Sequence, residues 1–171
     1  YLKKRGFSDK SLSDFQLGYS PNNWEDLKQY LTEKSFSEEE LLTVGLIIAS
    51  DSGKTHDRFR HRLMFPINDP RGKTIGFGGR VLDDGHPKYM NSPQSPVFDK
   101  SGNLYAIDRA AQSIRKLDMT VVVEGYMDVI TAHQNGFTNV VAAMGTSVTE
   151  RQIDMLKKLS RNVVLALDAD A

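Results

Sequence analysis

The stretch Met119-Thr120-Val121-Val122-Val123-Glu124-Gly125-Tyr126-Met127-Asp128 is a short apolar run that ends on an acidic residue. A second apolar run, residues 163–167, ends in the same way on Asp168-Ala169-Asp170. Between the two runs, the periodicity predicts a helix at about 126–135, a strand at 139–143 and a helix at 148–159. Strands that alternate with helices form a parallel sheet with right-handed crossover connections. Residues 119–171 are therefore predicted to be an α/β subdomain.

Acidic side chains follow two strands of this predicted sheet at their carboxyl ends. Because neighbouring parallel strands lie about 4.8 Å apart, Glu124 and Asp168 are expected to share one edge. Asp168 and Asp170 are two residues apart, so they point the same way in extended backbone. Asp128 follows in the first helical turn, where it is by itself more typical of a favourable charge on the helix dipole. Together, these hard oxygen ligands predict a magnesium site.

A short loop, Gly145-Thr146-Ser147, follows the middle strand of the predicted sheet. Glycine permits a tight turn there, and the backbone N–H groups beyond it could receive a phosphate. By itself the loop is better explained as a plain connection from strand to helix, and it is the neighbouring carboxylates that favour a phosphate site. Ser147-x-x-Glu150 has the pattern of a capping box and is expected to start the next helix.

Residues 1–118 show a different pattern, beginning with short helices. Ser37-x-x-Glu40 predicts a capping box. Asn22 or Asn23 is expected to cap an earlier helix that buries one face. The spacing of three and four residues assigns that face to Trp24, Leu27, Tyr30 and Leu31.

Strands and turns follow, and they predict an antiparallel meander. Residues 63–67 and 74–82 are the predicted strands, joined by a turn at 68–72. Glycines within the second strand indicate a bulge or a backbone that another group approaches closely; a bent edge strand is the alternative. Asp108 is then expected to cap a helix with buried Ala110, Ala111, Ile114 and Leu117. We place the boundary between an α+β subdomain, residues 1–118, and the α/β subdomain, residues 119–171, near residue 118.

Positive charge is concentrated in one part of a chain whose net charge is zero. Residues 54–88 contain eight Lys or Arg and four Asp, and such a stripe can hold phosphates even on a neutral molecule. The sequence Arg58-Phe59-Arg60-His61-Arg62 alternates, so its arginines would share a face if the backbone were extended. Lys88-Tyr89-Met90-Asn91 offers a cation, a stacking ring and an amide together. Taken one at a time, each of these cations is also explained as part of a surface salt bridge.

Composition narrows the class of protein. The chain has 171 residues, of which 39% are hydrophobic and 26% charged, and this supports a packed core. It has no cysteine, which excludes disulfides and thiolate zinc sites and makes the reducing cytoplasm the expected compartment. No apolar stretch has the length of a membrane span. Neither end reads as a natural terminus, so we expect a piece of a longer protein.

Glu124 to Asp128, Gly145-Thr146-Ser147 and Asp168-Ala169-Asp170 together resemble the toprim motif, which bacterial primases, type IA and type II topoisomerases and some nucleases share. Further blocks upstream narrow the resemblance to the bacterial DnaG-type replicative primase. Those blocks are Tyr1-Leu2-Lys3-Lys4-Arg5-Gly6, Arg58-Phe59-Arg60, Met64-Phe65-Pro66-Ile67, Gly76-Phe77-Gly78-Gly79-Arg80 and Pro87-Lys88-Tyr89-Met90-Asn91-Ser92-Pro93. The resemblance covers essentially the whole chain.

The resemblance implies synthesis of short RNA primers on single-stranded DNA by metal-dependent nucleotidyl transfer from ribonucleoside triphosphates. On the matching motifs, Glu124, Asp168 and Asp170 are the expected catalytic residues. With Asp128 in support they would gather Mg²⁺, for which Mn²⁺ can substitute. The residues expected to bind nucleotide, template or RNA–DNA hybrid are Arg5, Arg58, Arg60, Arg80, Lys88, Tyr89 and Asn91.

The zinc-binding and helicase-binding domains of that family are not recognised in this sequence, and neither is the continuation of its acidic motif. We therefore expect no zinc here, and contact with the replicative helicase only through a domain outside this chain. Weak binding and no catalysis are expected of this segment alone. Two alternatives stay open: a single-stranded DNA-binding module whose acidic cluster is structural, and a toprim nuclease, against which the upstream blocks count.

Overall fold

The computed structural model describes residues 1–145 and 147–168. The longest of its helices has 11 residues, and no helix in this described part is long and apolar enough to span a bilayer. Two 3-10 turns lie at Lys3–Arg5 and Lys100–Gly102. The remaining elements, in chain order, are α1 (Asp9–Asp14), β1 (Gly18–Ser20), α2 (Asp26–Glu33), α3 (Glu38–Thr43), β2 (Ile47–Ala49), β3 (Thr55–Asp57), β4 (Arg62–Asn68), β5 (Thr74–Val81), β6 (Tyr89–Asn91), α4 (Ile107–Leu117), β7 (Met119–Val123), α5 (Tyr126–Gln134), β8 (Val140–Ala142), α6 (Glu150–Lys157) and β9 (Asn162–Leu165).

The chain forms two compact units that interleave along the sequence. The first contains Tyr1–Phe15, Ile67–Ile75 and Asp99–Ala171, and the second contains Gln16–Pro66 and Gly76–Phe98. The tip of the β4–β5 hairpin therefore belongs to the first unit. Because each unit contains several separate segments of the chain, the units do not test a boundary near residue 118, and that boundary stays a prediction.

The first unit is built on a parallel three-stranded sheet in the order β8-β7-β9. Val122 of β7 pairs with Val141 of β8 and with Leu165 of β9, so β7 is the central strand. Helix α4 packs Ala110 and Ile114 against this sheet in one apolar core, where both are fully buried. The predicted alternation of strands and helices, and hence the α/β part of the fold class, is confirmed.

Two helix starts in this unit differ from the predictions. The capping box of α6 is made by Thr149, whose hydroxyl accepts from the Gln152 N–H, and not by Ser147 and Glu150. The N-cap of α4 is Ala106, and the Asp108 carboxylate instead accepts a hydrogen bond from the Asn68 side chain at 3.0 Å. At α6 the capping side chain lies two positions after the predicted one, and at α4 no side chain caps the first turn.

The second unit contains most of a four-stranded sheet in the order β1-β4-β5-β6. β1 pairs antiparallel with β4, and β6 pairs antiparallel with β5, which confirms the antiparallel α+β part of the fold. Strand β5 runs without a break through its glycines. A Cβ at Gly76 would lie 3.1 Å from the ring of Phe98, and one at Gly79 would lie 2.8 Å from the ring of Phe59. At Gly76 and Gly79 an aromatic ring lies directly on the strand and leaves no room for a Cβ.

Substitution of Gly79 by alanine is expected to destabilise the protein by about 1–3 kcal/mol. The new methyl group would overlap the Phe59 ring and the Arg62 side chain, whose Cδ would be 3.0 Å away. Gly18→Ala is the matched control, because a Cβ there meets only Met64 Cβ at an ordinary 3.9 Å. Urea unfolding of both variants measures the difference; equal stability of the two would contradict the close packing of Phe59 on β5.

Helix α2 is capped from a distant strand. The carboxylate of Asp57 in β3 accepts the Leu27 N–H at 2.7 Å and the Lys28 N–H at 2.9 Å. Neither Asn22 nor Asn23 caps the helix; Asn23 accepts from the adjacent Trp24 N–H instead. The predicted buried face is also partly wrong, because Trp24 and Tyr30 are 60% and 56% exposed.

Candidate functional site

The acidic edge of the parallel sheet brings Glu124 and Asp168 together. Glu124 directly follows the central strand β7, and Asp168 follows its parallel neighbour β9. The Asp168 N–H donates to Glu124 Oε1 at 3.1 Å. Both residues are exposed, so their carboxylates are accessible at the carboxyl ends of the strands, where ligands of open α/β sheets bind.

The other residues of the predicted metal site are placed differently. Asp128 accepts a hydrogen bond from the Gly125 N–H at 3.1 Å, so its carboxylate caps the start of α5. Asp170 and Thr146 lie outside the described residues. Within residues 1–145 and 147–168 no group of three acidic, histidine or cysteine side chains is arranged around a common ion position. The described part of the site thus consists of two acidic residues that follow neighbouring strands, and carboxylate oxygens are hard ligands of the kind that Mg²⁺ takes.

Most of the predicted nucleic-acid-binding residues meet at the β5–β6 edge of the second unit. Arg80 is opposite Tyr89 in the strand register, and its guanidinium lies 5.8 Å from the tyrosine ring centre. Lys88 is exposed directly before β6. Arg58 donates to the backbone oxygen of Asn91 at 3.3 Å. Sequence positions 30 residues apart therefore contribute to a single cationic surface with an aromatic ring.

Arg58 has an unsatisfied donor in this surface. Its Nε is buried and has no hydrogen-bond partner among the described residues. Burial disfavours the charged form and lowers the pKa of the Arg58 guanidinium from its ordinary value. A buried donor left without an acceptor is costly.

The arginines of residues 58–62 do not share one face, contrary to the prediction. His61 has a φ of 51°, which interrupts the extended backbone that alternation requires. Arg60 stacks on the Trp24 ring, 4.0 Å from its centre, and donates to the Asp57 backbone oxygen at 2.6 Å. Arg62 turns inward, where only 6% of it is exposed.

Arg62 is one of three residues with a part in this surface that the sequence analysis did not assign. Its guanidinium donates to the backbone oxygens of Gly79 and Pro87, at 3.3 and 2.9 Å, and so ties β5 to the segment before Lys88. Burial and the charge of Arg60 lower its pKa. Trp24 and Asp57 are the other two. Trp24 lies in an acidic stretch well before the basic segment, so no local pattern in the sequence signalled its contact with Arg60.

Arg5 belongs to the first unit. It ends the 3-10 turn Lys3–Arg5, is exposed, and its guanidinium lies 5.4 Å from the Tyr1 ring centre. In the described part of the chain no carboxylate forms an ion pair with it. Its charge is therefore available to a phosphate.

Comparison with known proteins finds two family models that match consecutive parts of the chain. Residues 1–111 match the family model of the DNA primase catalytic core, N-terminal domain, and residues 121–171 match a toprim-like family. A DNA primase of Deinococcus radiodurans is 45% identical over 99% of this chain and 30% of its own length. The chain thus spans under a third of that relative.

Solved structures agree with the sequence matches. A DnaG primase catalytic domain bound to single-stranded DNA is 40% identical and superimposes with a TM-score of 0.88, covering 96% of this chain and 53% of that one. The RNA polymerase domain of Mycobacterium tuberculosis DnaG, in complex with double-stranded DNA with a 6-nucleotide overhang, is 35% identical with a TM-score of 0.93. That likeness covers 99% of this chain and 56% of that one. With a family model matched over residues 1–111 and this agreement in fold, the chain belongs to the family of DNA primase catalytic cores.

Proposed function

We propose that this chain takes part in the synthesis of RNA primers on single-stranded DNA, as part of a primase catalytic core. The observation that supports this best is the pairing of Glu124 with Asp168 at the carboxyl edge of a parallel sheet. Acidic groups at such an edge hold the divalent cation of phosphoryl-transfer enzymes. The family membership and the relatives' complexes with DNA support the same function.

In this proposal Glu124 and Asp168, with Asp170, hold Mg²⁺ at the acidic edge. When bound, the ion would favour deprotonation of an attacking hydroxyl and neutralise charge on a triphosphate. Glu124 is positioned for this by the Asp168 N–H, which orients its Oε1. Asp128 contributes by fixing the first turn of α5 immediately after Glu124.

The β5–β6 edge is proposed to hold the nucleic acid and the incoming nucleotide. Arg58 and Lys88 would bind phosphate oxygens, and the Tyr89 ring would stack on a base. Asn91 positions Arg58 through its backbone oxygen, while Arg60 acts through its stack with Trp24. Arg5 and Arg80 are proposed to contact the template backbone.

The wider assignments follow from the resemblance and stay proposals. Ribonucleoside triphosphates are the proposed substrates, and the replicative helicase is a proposed partner through a domain outside this chain. The cytoplasm is the proposed compartment, because a chain of 171 residues without cysteine gives no sign of an oxidising environment.

Template-dependent incorporation of ribonucleotides by the protein that contains this chain tests the proposal. We expect short RNA products that require single-stranded DNA, all four ribonucleotides and Mg²⁺ or Mn²⁺. Cutting of the template without ribonucleotides would favour a toprim nuclease. DNA binding without metal-dependent incorporation would favour the non-catalytic binding module.

Lys88→Gln is expected to weaken single-stranded DNA binding and to reduce the slope of log K against log salt by about 0.7. The reason is that one exposed cation, and with it one released counterion, is lost. A substitution of Arg80 would be harder to interpret, because Arg80 is only 9% exposed and its loss would also disturb packing. Lys116→Gln, an exposed change on α4, is the control. Fluorescence anisotropy over a salt series gives both slopes; an unchanged slope for Lys88→Gln would remove Lys88 from the site.

A further inference from the structure

An exposed apolar surface of the second unit lies around α2 and α3. It is lined by Tyr19, Tyr30, Leu31, Phe36 and Leu46, and we call it the α2–α3 surface. Tyr19, Tyr30 and Phe36 are 53%, 56% and 49% exposed. Two hollows, of ≈ 480 and ≈ 490 Å³, open on it and share Leu31 and Leu46 as lining residues. Large exposed apolar groups concentrated in one place mark an interaction site.

Strong negative charge surrounds this surface. Residues 25–40 carry six acidic and two basic side chains, which gives a net charge of −4. Asp26, Glu39 and Glu40 line the two hollows themselves. Glu33 and Glu39 pair with no cation in the described part of the chain, so their charges are available to a partner.

We propose that the α2–α3 surface binds a cationic amphipathic helix of another protein. An apolar groove with acidic sides is complementary to a helix with Leu-type anchors on one face and Lys or Arg beside them. Nucleic acid is disfavoured because its phosphates would face the acidic residues. A second copy of this chain is disfavoured because a symmetric contact would place the same negative charges opposite each other. None of Arg58, Arg80, Lys88, Tyr89 and Asn91 lines the two hollows.

The experiment uses a fluorescein-labelled peptide of about four helical turns, composed of alternating Leu pairs and Lys pairs. Two comparison peptides replace every Lys by Glu or every Leu by Ser. We expect only the Lys–Leu peptide to bind. Tyr30→Ser and Phe36→Ser should each weaken its binding about tenfold, since an aromatic anchor is lost. Glu39→Lys should weaken it about threefold and reduce its salt dependence.

Phe137→Ser is the matched control, because Phe137 is 64% exposed in the first unit and outside the α2–α3 surface. Circular dichroism melts check that every variant is folded. Failure of the Lys–Leu peptide to bind, or equal binding by all variants, would overturn the proposal. So would loss of single-stranded DNA binding in Phe36→Ser, or concentration-dependent dimers that the same change abolishes in sedimentation velocity. Those last two results would identify nucleic acid or a second copy as the occupant.

Discussion

Replacing Glu124 by glutamine is expected to lower primer synthesis by about a thousandfold or more. The substitution keeps the size of the side chain and an oxygen that can still accept from the Asp168 N–H, which donates to Glu124 Oε1 at 3.1 Å in the parent protein. It removes one of the negative charges that stabilise a bound divalent cation. The loss should therefore appear in the rate of nucleotide addition and not in the stability of the fold. Incorporation of labelled ribonucleotides by the protein that contains this chain measures it.

A second readout separates loss of metal from loss of structure. Mn²⁺ binding, followed by the electron paramagnetic resonance of the free ion, should weaken in Glu124→Gln, while the melting temperature stays close to that of the parent protein. Glu150→Gln is the control, since Glu150 is an exposed acid in the first turn of α6. Primer synthesis by Glu124→Gln at near the parental rate would refute the metal assignment.

Removing the Asp57 carboxylate is expected to have the largest effect on stability. Asp57 is only 3% exposed and accepts two backbone N–H bonds at the start of α2. Asp57→Ala would leave both donors without their acceptor, and we expect a loss of about 2–4 kcal/mol. The change should also loosen the basic segment, because Arg60 stacks on Trp24, which lies just before the start of α2.

Trp24 offers a direct measurement, because it is the single tryptophan of the chain. Urea unfolding of Asp57→Ala, followed by Trp24 fluorescence and by circular dichroism, should show a lower midpoint by both signals. Asp57→Asn should lie between Asp57→Ala and the parent, since its amide oxygen retains one acceptor. Asp51→Ala, at an exposed turn position, should change nothing. If Asp57→Ala proved as stable as Asp51→Ala, the cap would not hold α2.

Patterns in the sequence predicted the features that depend on contacts between residues close together in the chain. The Ser37–Glu40 capping box forms as expected, because both of its hydrogen bonds join residues three apart. The strands at 119–123 and 140–142 follow from apolar runs, and their parallel pairing follows from the intervening helix. The meeting of Glu124 with Asp168 could be expected for the same reason, since parallel neighbours end at one edge.

Long-range partners explain where the predictions were wrong. The exposure of Trp24 could not be read from helical spacing, because Trp24 precedes α2 and stacks on Arg60 from another segment. The cap of α2 comes from Asp57, about thirty positions away in the sequence, and nothing near Asn23 signals it. The prediction that the arginines of residues 58–62 share one face was wrong because His61 has a left-handed backbone conformation. No pattern in the sequence indicates that conformation.

The amino-acid order was sufficient for the type and succession of the elements, for the parallel and antiparallel sheets, and for the acidic edge. Those features depend on the period of apolar residues and on chain connectivity, both of which are properties of neighbouring positions. Which cations face outward, which of them turn inward like Arg62, and which carboxylate caps α2 depended on tertiary packing. A charged side chain goes where distant backbone groups can satisfy it, and only the folded chain brings those groups within hydrogen-bond distance.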